Sequence, residues 1–291
     1  MSILTRLLAA ACVSGAIYAC VEHPEKVSAT LKKVENGIEN FQAITENTFS
    51  PKEARAEGNG KQRNLEIPER MKGTPERMVT HCGYTLSFNR EHNNPNWVAW
   101  ELTAQETEGT KPRAKDFLPD PDIPEPHRVT TDDYKGSGYD RGHMAPAADM
   151  KWSAQAMKEC FYMSNMCPQD GSLNSGAWST LEKACRRWAK QEGKIYIVTG
   201  PVYKKKKVKK IGKEHRVSVP DGFFKVVLST RKGHEKAIGF YYGNHDGKQS
   251  MTKTAITVDE AERISGINFF VNLPDPLEEK LESACALKKW K

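Results

Sequence analysis

The chain has 291 residues, of which 44 are lysine or arginine and 37 are aspartate or glutamate, giving a formal net charge of +7. Hydrophobic residues make up 38% and charged residues 28% of the chain, which excludes a wholly disordered protein and a protein that crosses a membrane several times. The excess of positive charge favours a polyanionic partner.

The first 20 residues have the pattern of an export signal. A short basic head ends at Arg6, and the apolar run of residues 7–19 is too short to cross a bilayer as a helix. The run ends in IYAC, so the sequence predicts a protein that is periplasmic, secreted, or anchored to the cell surface and its membrane through a lipid on Cys20. An N-terminal helix buried in the core is the alternative.

The seven cysteines are consistent with an oxidising destination. Loss of Cys12 with the signal, and loss or lipidation of Cys20, leaves five. Because five is odd, at least one thiol is expected to be free or to pair outside this set. The sequence has no cysteine and histidine spacing typical of zinc, and we therefore expect structural cysteines.

Residues 21–64 predict a helical segment followed by a linker. Apolar residues recur at alternating steps of four and three, which is helical spacing, at Val27, Leu31, Val34, Ile38 and Phe41. This helix is expected to be a tether, an oligomerisation helix or a helix packed on the body. The residues after it are charged, small and polar, as in linkers, and the folded domain is predicted to span residues 65–291.

The body of the chain predicts an α+β fold, with a central antiparallel sheet flanked by helices. Short aromatic or β-branched runs bounded by turn residues predict strands at 84–89, 97–103, 194–200, 223–230 and 237–243. Helical spacing predicts helices over 153–166 and 176–193, the second of which ends at Gly193.

Two polar segments stand out between these elements. Residues 139–150 read YDRGHMAPAADM, and residues 164–187 read SNMCPQDGSLNSGAWSTLEKACRR. DRGH alone is a weak signal, but DRGH followed by LNSGAWSTLE is highly specific. Together the segments resemble the DNA/RNA non-specific endonuclease family, and the resemblance extends over most of residues 65–275.

The resemblance implies a ββα-metal finger, in which a histidine lies on a strand and a metal-binding asparagine lies on the following helix. His143 is then expected to be the general base, and Asn174 to be the ligand of a magnesium ion, with manganese as an alternative ion. Glu182 and Arg186 are expected beside the metal and the scissile phosphate.

Four further residues follow from the same resemblance. Arg113 matches an upstream arginine that contacts phosphate, in a region where the alignment is loosest. Arg141 completes the motif beside His143. Asp140 is expected to orient neighbouring groups rather than to bind the metal directly, and Asn165 is expected to hold the site together.

These residue types also suit phosphodiester hydrolysis without reference to a family. Imidazole has an unperturbed pKa of about 6.5, so it can be neutral near pH 7 and accept a proton from water. Magnesium accepts few protein ligands, so one amide oxygen is sufficient. Glu182 and Arg186 are four residues apart and project from the same side of a helix, where an ordinary ion pair is the alternative.

A lysine run, KKKKVKK at residues 204–210, is predicted to lie in a loop because it falls between two strand-like segments. Within it, Lys204, Lys205, Lys206 and Lys207 are predicted to attract the nucleic-acid backbone. A solvated loop without a binding role is the alternative.

The predicted function is metal-dependent hydrolysis of DNA and RNA, which leaves 5'-phosphate and 3'-hydroxyl ends as the family resemblance implies. One alternative is a catalytically weak surface protein that binds nucleic acid on the same fold. Another is a phosphodiesterase that acts on small nucleotides. The presence together of His143, Asn174, Glu182 and Arg186 favours the endonuclease, because a binding protein has no need of all four.

Overall fold

The computed structural model describes residues 64–245 and 248–290. The predicted export signal, Cys20 and the predicted helix between Val27 and Phe41 lie outside the described residues. In the two described ranges, no helix has the length and apolar character that are needed to cross a membrane.

The described residues form strands and helices in a mixed order. The strands are β1 Arg77–Thr80, β2 Thr85–Asn89, β3 Asn94–Thr103, β4 Asp140–His143, β5 Met166–Gln169, β6 Lys194–Val202, β7 Lys210–Ile211, β8 Val217–Ser218, β9 Gly222–Ser229, β10 Lys236–Gly243 and β11 Ala255–Ile256. The helices are α1 Ala154–Glu159, α2 Gly171–Leu173, α3 Ser179–Glu192, α4 Met251–Thr254, α5 Val258–Ser265 and α6 Asp275–Glu282. A π-helical turn, Asn174–Trp178, joins α2 to α3.

Seven strands form one sheet in the order β1-β2-β3-β6-β9-β10-β11. Every neighbouring pair is antiparallel. The five strands predicted from sequence are β2, β3, β6, β9 and β10, and they form the consecutive middle of this sheet. The predicted α+β class with a central antiparallel sheet is therefore confirmed.

The sheet has an apolar core on each face. Successive side chains of a strand point to opposite faces, and in β3 Val98 and Trp100 join one core while Trp97 and Ala99 join the other. Helix α3 packs on the first face, and α5 and α6 pack on the second. This three-layer arrangement fixes the position of α3 relative to the sheet.

One predicted helix is wrong in its length. The helix expected over 153–166 is α1, which ends at Glu159. The carbonyl of Cys160 accepts a hydrogen bond from Asn165 Nδ2 at 2.8 Å, so the chain turns here and then enters β5. The apolar spacing beyond Glu159 reflects burial of this turn and strand. The other predicted helix is present and stops at Gly193, whose φ of 81° suits glycine.

Strands β4 and β5 form a separate two-stranded sheet, and the segment from α2 to α3 follows them directly. This ββα unit is the predicted finger, with His143 on its first strand and Asn174 on its helical part. Gly142 lies opposite Cys167 in the pair, and a β-carbon at Gly142 would collide with the side chain of Gln169. The glycine of DRGH therefore allows the two strands to approach.

Five cysteines are described, and all five are free thiols: Cys82, Cys160, Cys167, Cys185 and Cys285. Burial raises the pKa of the Cys160 and Cys185 thiols to about 12, so these two are unreactive side chains of the core.

Candidate active site on the ββα unit

A cavity of about 650 Å³ lies against the ββα unit and has the volume of a ligand site. Six of the residues predicted from sequence line it: Arg113, Asp140, Arg141, His143, Asn174 and Glu182. These residues come from a loop, a strand, a π-helical turn and a helix. The fold therefore brings together groups that are up to 69 positions apart in the chain.

Asn165 fixes the backbone that follows His143. Its side-chain oxygen accepts from the Ala145 amide at 2.9 Å, and its side-chain nitrogen donates to the Ala145 carbonyl at 2.9 Å. Its own carbonyl accepts from the Met144 amide at 3.0 Å. Asn165 is fully buried, so these bonds hold the histidine strand without competition from water. The structure thus places Asn165 against the backbone of Met144 and Ala145, directly after His143.

The His143 ring lies in an aromatic pocket and is only 9% exposed. Its centroid lies 4.8 Å from that of Phe161, edge to face, and 5.6 Å from that of Phe117. Burial, followed by the nearby Arg113 charge, lowers the His143 pKa to about 3. This pKa is well below the unperturbed histidine value of about 6.5, so the imidazole is neutral over the whole physiological pH range.

Asn174 is oriented by Asp140. The Asn174 Nδ2 donates to Asp140 Oδ2 at 2.9 Å, so the amide oxygen points away from this carboxylate. Asp170 starts the helical part by accepting from the backbone amides of Ser172 at 2.9 Å and Leu173 at 3.2 Å. Asn174 then begins the π-helical turn, a form of helix that is frequent at functional sites. The structure thus places Asp140 against the Asn174 side chain, and its orienting role stays a prediction.

Two arginines of the cavity are held by aromatic rings. The Arg141 guanidinium lies 4.4 Å from the Phe117 centroid, and that of Arg113 lies 4.9 Å from the Phe161 centroid. A guanidinium over a ring face is attracted to it and has fewer orientations available. The same two rings enclose His143. Neither phenylalanine was predicted from sequence, because nothing in the local pattern around them separates them from core residues.

Glu182 is half-buried in the cavity wall. Burial raises the pKa of Glu182 to about 7. The Lys225, Arg186 and Arg113 charges oppose this rise, while the Asp149 charge adds to it. Near pH 7 the carboxyl group is therefore close to half ionised.

A buried cation lies behind Glu182. Lys225 of β9 is 1% exposed, and its Nζ lies between the rings of Trp100, at 4.9 Å, and Trp178, at 4.7 Å. Burial lowers the pKa of Lys225, and the Glu182 and Asp149 carboxyls are among the groups that oppose this shift. The signal that identifies Lys225 in the sequence is a single charge in the apolar run FFKVVL.

Arg186 does not line the cavity, in contrast to the other predicted residue of α3. Its Nη1 donates to Asp149 Oδ1 at 2.8 Å, and Asp149 Oδ2 accepts from Trp100 Nε1 at 3.2 Å. Asp149 is 1% exposed. This buried pair joins α3 to the turn after β4. Asp149 belongs to the sequence AADM of the motif stretch, but the sequence analysis gave it no role.

The lysine run lies in the loop between β6 and β7, as predicted, except that Lys210 begins β7. Within residues 64–245, none of Lys204–Lys207 lines the cavity. Lys204 Nζ lies 3.8 Å from the Tyr241 centroid, and Lys205 forms a 2.9 Å ion pair with Asp221. Further along the same run, Lys209 contacts a cavity residue, because its Nζ lies 3.4 Å from the Tyr139 hydroxyl.

Comparisons with known proteins agree on one family. Residues 67–276 match the model of the DNA/RNA non-specific endonucleases. The chain is 36% identical over 232 residues to "Nuclease 1, mitochondrial" of Schizosaccharomyces pombe, covering 73% of this chain and 72% of that one. It is 34% identical over 203 residues to "Endonuclease G, mitochondrial" of Homo sapiens, covering 65% and 68%.

A solved structure is similar over a comparable extent. The crystal structure titled as the EndoG/EndoGI complex matches with a TM-score of 0.68 and 30% sequence identity, over 76% of this chain and 95% of that one. The likeness therefore holds at the level of both sequence and fold.

The names of these relatives correct the prediction of export. Both curated relatives named above are mitochondrial nucleases. A periplasmic, secreted or lipid-anchored location is contradicted by this finding, and membrane attachment through a lipidated Cys20 has no support. A short basic head followed by an apolar run is thus an insufficient basis for predicting secretion.

Proposed function

Since the chain belongs to the DNA/RNA non-specific endonuclease family and is an endonuclease, we propose that it hydrolyses both DNA and RNA, with His143 as the general base and a magnesium ion held by Asn174. The products are 5'-phosphate and 3'-hydroxyl ends. The observation that carries the proposal is the convergence of a neutral imidazole, an oriented amide and two arginines on one cavity.

His143 suits the role of base by its position in the cavity and by its neutral charge state. Burial and the Arg113 charge lower its pKa to about 3, so the ring is neutral and its lone pair is available for a proton from water, although the lowered pKa makes it a weaker base than free imidazole. Its Nε2 is buried and has no hydrogen-bond partner among the described residues. Nδ1 is therefore the nitrogen that takes the proton from a water molecule in the cavity, as the water oxygen attacks phosphorus and the bond to the 3' oxygen breaks.

The arginines suit the charge that develops during this reaction. The nonbridging phosphate oxygens gain negative charge in the transition state, and a fixed guanidinium stabilises that charge better than a mobile one. Arg113 and Arg141 are fixed by Phe161 and Phe117. Arg186 acts through Asp149, since its guanidinium is bound to that carboxylate, and it is a positioning residue in this proposal.

Nucleases of this family depend on a metal ion, and the donors in the cavity fit a hard divalent cation. Asn174 presents an amide oxygen, because its nitrogen is bound to Asp140, and Glu182 adds a carboxylate. Oxygen donors of this kind are typical of magnesium and manganese sites. When bound, the ion supplies positive charge to the phosphate and the leaving oxygen. Glu182 would hold the water molecules of such an ion in place.

The proposal is tested with purified protein on supercoiled plasmid and on RNA, each with magnesium and with EDTA. We expect nicking of plasmid and cleavage of RNA with magnesium, and neither with EDTA. Sequencing of the cut ends is expected to find 5'-phosphates. Binding of the plasmid in a gel mobility-shift assay, without any cleavage, would instead support the nucleic-acid-binding alternative. Cleavage of dinucleotides but not of plasmid would support the small-nucleotide phosphodiesterase.

The mitochondrial nucleases among its relatives also support a mitochondrial location for this protein. A fusion of the full chain to a fluorescent protein, expressed in a eukaryotic cell, is expected to coincide with a mitochondrial dye. Diffuse fluorescence would overturn the location without affecting the proposed chemistry.

A further inference from the structure

Four carboxylates gather between the two C-terminal helices, on the sheet face opposite to α3. Asp259 and Glu262 of α5 are three residues apart, and Glu278 and Glu282 of α6 are four apart. Side chains at these spacings project from the same side of a helix. Each helix therefore presents a pair of acids. Burial is the main cause that raises the pKa of both Glu278 and Glu282.

Glu282 is the unusual member of this cluster. It is only 5% exposed. Its Oε1 is buried and has no hydrogen-bond partner among the described residues. A buried carboxylate oxygen without a partner is energetically costly, and native proteins avoid it unless an ion or a water molecule satisfies it.

The charges around Glu282 disfavour its ionised form. Burial is the main cause that raises its pKa to about 9, and Glu262, Glu278 and Asp259 each raise it further. Basic groups on these helices are engaged elsewhere or lie at the surface: Arg263 forms a 2.6 Å ion pair with Glu260. Among the described residues, the neighbours that act on Glu282 are thus acidic groups, and none of them is a cation that would stabilise its ionised form.

The oxygen positions already suit a metal ion. One oxygen each from Asp259, Glu262 and Glu282 lie within 4.8 Å of one another. Two oxygens on opposite sides of a calcium ion lie about 5 Å apart, since each bond is about 2.4 Å long. We propose that Asp259, Glu262 and Glu282 bind a calcium ion that fastens α6 to α5.

Calcium suits this set better than magnesium. Calcium takes six to eight oxygens in flexible geometry, whereas magnesium requires a near-ideal octahedron and retains most of its waters. Glu262 is already fixed, because it accepts from the Phe269 amide at 2.7 Å. Asp259 is exposed and leaves room for water ligands. The set lacks the histidine or cysteine that zinc prefers.

This site is separate from the active-site cavity, so its test is made in a variant whose cavity is expected to bind metal more weakly. In an Asn174→Ala background, the melting temperature is measured in EDTA, in calcium and in magnesium. At a calcium concentration about 100-fold above the dissociation constant, the expected rise in Tm is on the order of 5 to 10 °C. Magnesium at the same concentration is expected to give a smaller rise. Calorimetric titration is expected to find one calcium per chain.

Asp259→Asn and Glu282→Gln are expected to abolish the calcium-dependent rise, and Glu279→Gln, on the exposed side of α6, is the matched control that retains it. Asp259→Asn changes an exposed side chain, so it keeps the test decisive if Glu282→Gln fails to fold. A calcium effect that is absent from the Asn174→Ala background, or that survives in both cluster variants, overturns the proposal. The plasmid assay with magnesium reports on the other site and is expected to be unchanged in Asp259→Asn.

Discussion

His143 and Glu182 line the same cavity, and burial moves their pKa values in opposite directions. Burial disfavours the charged form of each group, so the pKa of the histidine falls to about 3 and that of the glutamate rises to about 7. Both groups are therefore close to neutral in the protein at slightly acidic pH. The group in the cavity that changes charge near neutrality is Glu182.

Replacing His143 by alanine is expected to reduce turnover by a factor on the order of 10² to 10⁴, the usual effect of losing a positioned base. Plasmid nicking under saturating magnesium measures it. Magnesium affinity is expected to be unchanged, and added imidazole is expected to restore part of the rate. Near-normal nicking by a folded His143→Ala protein would rule out the role of base.

The matched variant Asn174→Ala is expected to fail in a different way. Its loss acts through the metal, so raising the magnesium concentration is expected to restore part of the rate by mass action. Added imidazole is expected to have no effect on it. If the rate depended on magnesium concentration in the same way in both variants, His143 would also contribute to metal binding.

The rate at subsaturating magnesium is expected to rise with pH between about 6 and 8, because ionisation of Glu182 near pH 7 creates the carboxylate that holds the metal's water. The histidine does not contribute to this rise, since it is already neutral. Glu182→Gln is expected to be slow and to lack the rise. A rise that persists in Glu182→Gln would assign it to another group.

Removing the buried cation behind Glu182 is expected to shift that profile. The Lys225 charge lowers the pKa of Glu182, so Lys225→Met is expected to raise this pKa and to move the rise in rate to higher pH. Lys236→Met is the control, because Lys236 also lies on a strand and over a tryptophan, Trp290 at 4.8 Å, but its charge is not among those that shift the pKa of Glu182. An unshifted profile in Lys225→Met would limit the lysine to packing.

At the scale of elements, the ββα unit was predictable from sequence because its signals are local. DRGH and LNSGAWSTLE are short patterns, and both lie where the finger was expected. The π-helical turn at Asn174 and the early end of α1 at Glu159 were not predictable. The end of α1 is fixed by the bond from Asn165 to the Cys160 carbonyl, and the turn begins at Asn174, whose side chain is bound to Asp140, 34 positions away. Neither contact alters the local spacing of apolar residues.

The lysine loop gives a prediction at the same scale. Replacing Lys204–Lys207 by serine is expected to weaken duplex DNA binding and to reduce the slope of log affinity against log salt by about 0.9 for each phosphate contact that is lost. Lys206 and Lys207 are expected to contribute most, since Lys205 is paired with Asp221. Lys209→Ser tests the end of the loop that contacts Tyr139. An unchanged slope in the fourfold variant would identify a solvated loop.

At the scale of the whole molecule, the middle of the sheet followed from alternating apolar residues, whereas its margins did not. Strand β11 has two residues and strand β1 has four, too few to show a period of two. Helices α5 and α6 have eight residues each. Many of these residues are acidic, so the few apolar positions that pack on the sheet do not show a clear helical spacing. Elements of this length are recognised only by what they contact.

The free thiols of the described residues give a prediction for the molecule as a whole. Adding a thiol reductant is expected to leave the melting temperature unchanged, because the described part of the chain has no disulfide to lose. In a Cys12→Ser, Cys20→Ser protein, denaturation without reductant is expected to expose five reactive thiols. A lower number, or a drop in Tm on reduction, would reveal a disulfide and reopen the question of the compartment.

His143 lies on a two-stranded pair that is not hydrogen-bonded into the seven-stranded sheet. The sheet and its two cores supply most of the buried apolar surface, while the pair supplies the base. Heritable changes in the sheet should therefore alter chiefly the lifetime of the molecule, and changes in the pair chiefly its turnover. Evolution can therefore change the chemistry of such a protein through substitutions in the two-stranded pair, while the sheet and its two cores stay the same.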